Sequence, residues 1–219
     1  MVILDRSGSM QSARADHEGG LRSFVEDQKK LDGKVLFTLS QFDDHNPCEL
    51  VYDGVSIDMV DKIELIPRGG TPLLDAIGKA IAHLQIRLNG QTEKPDQVIV
   101  MVITDGDENS SHEYRRAQIK QMIEEREKDG WKFLFLGANI DAFAEAGSVG
   151  VGTAYSAGFV NKGPAVSAMY SHTSGNVLRS RMMCTQGLSA EDAYSALAYT
   201  SDQLSAMSET SVSDPSEEK

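Results

Sequence analysis

Asp5-Arg6-Ser7-Gly8-Ser9 sets a carboxylate and two hydroxyls on alternate residues, directly after a short apolar run, Met1-Val2-Ile3-Leu4. Small oxygen donors spaced in this way on a turn leaving a strand can converge on one hard cation. The segment alone is ambiguous, because Ser and Asp also cap ordinary turns. Two further segments carry the same kind of donor. Gly69-Gly70-Thr71-Pro72-Leu73 sets a hydroxyl between a flexible glycine pair and a helix start, where Pro72 suits the first turn. Ile103-Thr104-Asp105-Gly106 sets a second carboxylate at the C-terminal end of an apolar strand.

The elements that must position these donors are legible as patterns. Val35-Leu36-Phe37-Thr38-Leu39, Val98 to Ile103 and Trp131 to Leu136 are continuous apolar runs, as is the opening Met1 to Leu4. Runs without alternation suit strands covered on both faces in a parallel sheet. Between them lie helical stripes: Leu21, Phe24, Val25 and Leu31; Leu74, Ile77, Ile81, Leu84 and Leu88; and a weaker Ile119, Met122 and Ile123. Gly33 and Gly130 follow the first and third stripes, where a left-handed residue often stops a helix. Strands alternating with helices predict a doubly wound α/β sheet, whose ligands bind beyond the C-terminal strand ends. The glycines from Gly147 to Gly158 predict a turn into a short edge strand near Ala154-Tyr155-Ser156.

Beyond residue 160 the pattern changes. Val166, Met169, Tyr170, Thr173 and Val177 predict a helix, and Ser189 with Asp192 a capping pair for another through Tyr194 and Leu197. Tyr170, Met182 and Met183 suit core more than a binding surface. The expected organisation is a main domain over residues 1–160, a helical extension over 161–207 packed on it, and a disordered Ser/Glu-rich tail over 208–219.

Taken together and in order, the three donor segments resemble the metal ion-dependent adhesion site (MIDAS) of the von Willebrand factor A (VWA) family. That site combines an Asp-x-Ser-x-Ser motif, a Thr and an Asp from three loops. Asp5, Ser7, Ser9, Thr71 and Asp105 are the counterparts here, and the resemblance covers roughly residues 1–160. It implies a three-layer, Rossmann-like α/β fold with a mostly parallel sheet in the order 3-2-1-4-5-6, the strand near Glu49 to Tyr52 forming an antiparallel edge. It also implies that Ser7, Ser9 and Thr71 reach the metal directly, while Asp5 and Asp105 act through water or as acceptors behind the ligands. Only four residues precede Asp5, so the first strand is expected to be unusually short.

Three hydroxyls and two carboxylates leave a divalent ion poorly neutralised, and an open octahedral position then favours an anion. The expected cofactor is Mg2+, with Mn2+ or Ca2+ as alternatives. The expected partner is a protein supplying an Asp or Glu to the metal, within a multi-subunit or AAA ATPase-associated assembly, as the resemblance implies for intracellular members. A self-assembling component using the same site is the first alternative. An enzyme is not expected. Haloacid dehalogenase-like phosphatases place an Asp after the first strand but follow it with an acid two residues on, where this chain has Ser7. No phosphate-cradling or dinucleotide glycine fingerprint and no nucleophile elbow follows the first strand. Asp105-Gly106-Asp107-Glu108-Asn109 fails as a calcium loop, because Ser110 and Arg116 stand where Gly and a bidentate Glu are needed. Asp43-Asp44-His45 reads as an acidic turn, and His17, His83, His112 and His172 share no ligand spacing. Asp5 and Ser7 are expected to face an open surface.

The formal charge of -12 argues against nucleic acid and against anionic membranes. No apolar run approaches the roughly 20 residues of a bilayer span. Cys48 and Cys184 make no disulfide framework, and a reducing cytoplasm is the expected setting.

Overall fold

The structure is a computed structural model and describes residues 1–208. Its centre is the apolar strand β4 (Val98–Thr104), flanked by β1 (Val2–Asp5) and β5 (Trp131–Ala138). Outside these lie β2 (Leu36–Phe42), β3 (Glu49–Ser56) and β6 (Ser156–Phe159). The six strands run in the order β3-β2-β1-β4-β5-β6. All neighbours are parallel except β2 with β3, which makes β3 the antiparallel edge. Fold class and strand order are therefore those expected.

Alternate residues of the inner strands feed two separate cores. Leu4, Met101, Ile103, Leu134 and Leu136 face α1 (Arg14–Lys29) and α5 (Gly163–Thr185). Ile3, Val100, Val102, Phe133 and Phe135 face α2 (Leu73–Asn89) and α3 (Arg116–Lys128). Each strand is thus apolar on both faces because each face is roofed by helices. α4 (Ala142–Ser148) lies beside β5 and β6. The remaining helices, α6 (Ala190–Tyr194) and α7 (Ser201–Ser208), send Tyr194 and Met207 into the α1-side core together with Val166, Met169 and Tyr170 of α5.

α1 and α5 meet closely at Gly20, against the Tyr170 ring. A Cβ at that position would stand 2.1 Å from Cδ2 of Tyr170. Polar residues on the buried side of α5 are paired across the same contact: the Gln28 amide donates to the Ser174 hydroxyl at 3.1 Å, and Arg181 donates to the Gln28 carbonyl at 2.8 Å. Tyr170 is core, whereas Met182 is 44% exposed.

Several boundaries differ from the sequence reading. α1 stops at Lys29, leaving Leu31 outside it, because the Lys30 N–H turns back to the Asp27 carbonyl. Gly33, with φ 117°, therefore lies beyond the helix end rather than at it, whereas Gly130 (φ 84°) directly follows the cap of α3. β3 continues to Ser56, and β6 begins only at Ser156, after a 3-10 turn over Thr153–Tyr155. The Ser189–Asp192 cap is present, with the Asp192 N–H donating to the Ser189 hydroxyl at 3.1 Å. Both cysteines are unpaired. Among the described residues no helix is long and apolar enough to cross a membrane. Apart from Ser208, which closes α7, the tail lies outside the described residues.

Candidate metal centre

β1 and β4 are adjacent and parallel, so Asp5 and Asp105 leave the sheet side by side at its C-terminal edge. The loop after β1 enters a 3-10 turn, Gly8–Ala13, and is stitched to the donor segment around Thr71: Gly8 N–H donates to the Gly69 carbonyl at 3.0 Å, and Arg68 N–H to the Arg6 carbonyl at 2.9 Å. Gly69 has φ 66°, and a Cβ there would collide with the Asp44 carboxylate at 1.8 Å, so this turn requires glycine. The loop after β4 is pinned to the start of α2. Asn109 accepts from the Thr71 N–H at 2.9 Å, and Glu108 accepts from the Leu74 N–H at 2.9 Å. Asp75 in turn accepts from the backbone of His112, Glu113 and Tyr114.

These loops bring the five donors together. The Ser7 and Ser9 hydroxyls are 2.9 Å apart, and Ser9 donates to Asp105 Oδ1 at 2.5 Å. Thr71 closes the ring near Gly106, where a Cβ would stand 3.2 Å from its hydroxyl and 3.7 Å from that of Ser9. Asp5 lies behind the hydroxyls, accepting from the Ser7 N–H and the Thr104 hydroxyl, each at 2.6 Å. The expectation of an open surface face is corrected here. Asp5, Ser7, Thr71 and Asp105 are all buried and only Ser9 is exposed, because the three loops wall the strand ends.

That burial controls the electrostatics. Desolvation pushes the Asp5 carboxyl up to about 6, against the opposing hydrogen bonds from Thr104 and Ser7. Burial likewise raises Asp105, opposed by its bonds from Ser9 and Asn161. Among the described residues, neither acid has a Lys, Arg or His within ion-pair distance. Asp43, one loop away, shows the alternative: Arg6 at 2.5 Å and Arg68 at 2.8 Å hold it, and its pKa is lowered. Asp43, Asp44 and His45 bring ligand atoms within 4.8 Å of one another, but these arginines and the N–H groups of His45 and Asn46 already satisfy Asp43. The acidic-turn reading accounts for it.

Four contributors escaped the sequence reading as members of the site: Thr104, Glu108, Asn109 and Asn161. Thr104 carries a local signal, a hydroxyl at a strand end beside the acid. Asn161, donating to Asp105 Oδ2 at 2.7 Å, carries none, because it lies 56 residues further along the chain.

Neither a family model nor a curated protein matches the sequence. Solved structures do. Proximal thread matrix protein 1 from the mussel byssus matches over 78% of this chain and 43% of its own, at TM-score 0.55 and 15% identity. A VWA protein from Catenulispora acidiphila matches over 90% of this chain and 42% of its own, at 0.52 and 14%. The SpRpn10 VWA domain matches over 76% and 90%, at 0.54 and 10%. This chain has the VWA fold. It spans about two fifths of the mussel and Catenulispora proteins, and at such identities the likeness is one of fold. Another structure of the mussel protein, matching at TM-score 0.51 and 15% identity over 72% of this chain and 40% of its own, has a zinc-occupied MIDAS motif.

The donor cluster sits at the C-terminal strand ends of this VWA fold, where open α/β sheets bind ligands. A cavity of about 750 Å³ lies at the opposite end, lined by Val2, Phe37, Ile99 and Arg181, and shares no residue with the cluster.

Proposed function

We propose that the chain is a metal-dependent protein-binding module of MIDAS type. Ser7, Ser9 and Thr71 supply hydroxyl ligands, and Asp5 and Asp105 supply the negative charge behind or beside them. The observation that carries this reading is the pair of buried carboxylates that, among the described residues, form no ion pair with a cationic side chain, set against hydroxyls that converge on the same point. A bound divalent cation would supply the missing positive charge and an open position for an anion. The donors are all oxygen, which favours Mg2+, with Mn2+ or Ca2+ as alternatives, over zinc with its preference for His and Cys.

The chain's own residues do the rest. Asp5 fixes the Ser7 backbone and so aims its hydroxyl. Glu108 and Asn109 hold Thr71 in place from the α2 side, and glycine at position 106 keeps the approach open. The occupant of the open position is an Asp or Glu of a partner protein, a charge-assisted contact with steep geometric demands. The partner belongs to a cytoplasmic multi-subunit or AAA ATPase-associated assembly, a setting that suits two unpaired thiols. No nucleic acid and no membrane is involved. Hydrolysis is not proposed, because among the described residues no His or third acid is hydrogen-bonded to the Ser7 and Ser9 hydroxyls as a base.

The test is capture of partners from native lysate by wild type and by Ser7→Ala, each with magnesium and with chelator. A partner retained only by wild type with magnesium supports the reading. Retention that ignores both chelator and substitution refutes it.

A further inference from the structure

Asp105 is held from behind by a buried hydrogen-bond chain that crosses into the α1–α5 core. Asn161 Nδ2 donates to Asp105 Oδ2 at 2.7 Å, His17 Nε2 lies 2.8 Å from Asn161 Oδ1, and Tyr170 Oη lies 3.1 Å from His17 Nδ1. The three side chains are 6%, 0% and 1% exposed, so water cannot substitute for a lost partner.

The donor and acceptor inventory fixes the direction of this chain. A carboxylate only accepts, and both Asp105 oxygens are engaged, so the Asn161 NH2 must face it. Asn161 Oδ1 then faces His17 and requires a proton on Nε2. A neutral imidazole with that proton has a bare Nδ1, which accepts from the Tyr170 hydroxyl. Burial lowers the His17 pKa and keeps the ring neutral. Every bond therefore runs the same way: Tyr170 to His17 to Asn161 to Asp105. Asn161 sits in the short loop between β6 and α5, and that loop is clamped by α7, whose Met207 carbonyl accepts from the Val160 N–H at 3.0 Å.

We propose that Tyr170, His17 and Asn161 are positioning residues of the metal centre: a one-directional relay, anchored in the C-terminal helices, that presents Asp105 to the cation in a single orientation. This rests on the metal-binding reading above. Its specific content is that the Tyr170 hydroxyl, which touches none of the five donors, sets the affinity for magnesium by choosing the His17 tautomer. Without it, the His17 proton can move to Nδ1. The Asn161 amide then turns its oxygen toward Asp105, and an attractive contact becomes a repulsive one.

Two measurements on the full chain test this. The first is the tautomer of His17 in the metal-free wild type, from long-range proton–nitrogen correlations assigned with His17→Gln. Nε2–H is expected, and Nδ1–H overturns the relay. The second is magnesium affinity by calorimetry, beside the metal-free melting temperature, for Tyr170→Phe, His17→Leu, His17→Gln and Asn161→Leu. Tyr170→Phe, His17→Leu and Asn161→Leu should bind magnesium roughly 10-fold or more weakly, in the range seen when the groups orienting metal ligands are removed. Gln can keep an acceptor and a donor in the same order, so His17→Gln should recover most of the loss. Tyr170→Phe that binds magnesium like wild type overturns the proposal, as does a loss that Gln fails to restore in a folded protein. If wild type binds no magnesium yet carries the Nε2–H tautomer, and Tyr170→Phe shifts it, the relay stands and the metal-binding reading fails instead.

Discussion

Asp5→Asn separates the cost of the metal centre from its use. In the metal-free fold, the Asp5 carboxyl is raised from 3.8 to about 6, chiefly by burial. At about 1.4 kcal/mol per pH unit, that displacement corresponds to about 3 kcal/mol. The sign follows from linkage: an acid whose folded pKa is raised binds its proton more tightly in the folded state. The contribution of Asp5 to stability is therefore highest below about pH 4 and falls as pH rises toward 6, after which the full cost of the buried anion is present. Asn carries no such cost. Its oxygen can accept from the Ser7 N–H and its amide can donate to Thr104, whose own proton turns to the Gly106 carbonyl at 3.1 Å. In chelator at pH 7.5, Asp5→Asn should be more stable than wild type by up to about 3 kcal/mol, less about 1 kcal/mol for imperfect hydrogen bonds. At pH 4 the two should converge. Saturating magnesium should close the gap from the other side, since a ligand at 100 times its Kd adds about 2.7 kcal/mol to wild type alone. Urea unfolding followed by the single tryptophan, Trp131, buried against Phe133, reads all three conditions. If Asp5→Asn is the less stable protein in chelator at pH 7.5, or if the difference does not respond to pH, the burial argument is wrong.

Three further outcomes are expected. Calorimetry should show magnesium and manganese binding that weakens below about pH 6, with protons released as Asp5 ionises; tight zinc binding with no response to magnesium would sink the oxygen-donor argument. Gly20→Ala gains about 1 kcal/mol of helix propensity but drives a Cβ to 2.1 Å from Tyr170, so thermal melts should show a net loss of about 2 kcal/mol or more; a neutral or raised melting temperature would mean that α5 shifts freely over α1. Light scattering should report no growth on adding magnesium, and an aryl phosphate should not turn over. Magnesium-dependent growth that survives removal of residues 209–219 would favour self-assembly through the folded surface instead.

The sequence by itself determined the layers and the donors. Unbroken apolar runs such as Val98 to Ile103 mark a strand roofed on both faces, and the Leu74, Ile77, Ile81 and Leu84 stripe marks the helix that roofs one of them. Asp5, Ser7, Ser9, Thr71 and Asp105 stood out because each sits at the edge of a predicted element and because together they resemble the MIDAS motif. Local pattern does not reach the environment of a side chain. Only the tertiary structure decided that Asp5 is enclosed rather than facing solvent, and enclosure is what lifts its pKa. The bonding of Asn161 to Asp105 and to His17 likewise joins residues 56 and 144 positions apart, through α5 crossing α1 at Gly20. Helix ends such as Lys29 and strand starts such as Ser156 were also misplaced, since neighbours compete for the same backbone groups there. Residue types and short spacings fix which atoms can bind; burial and long-range contacts fix their charge, orientation and partners, because those depend on what the rest of the chain brings alongside.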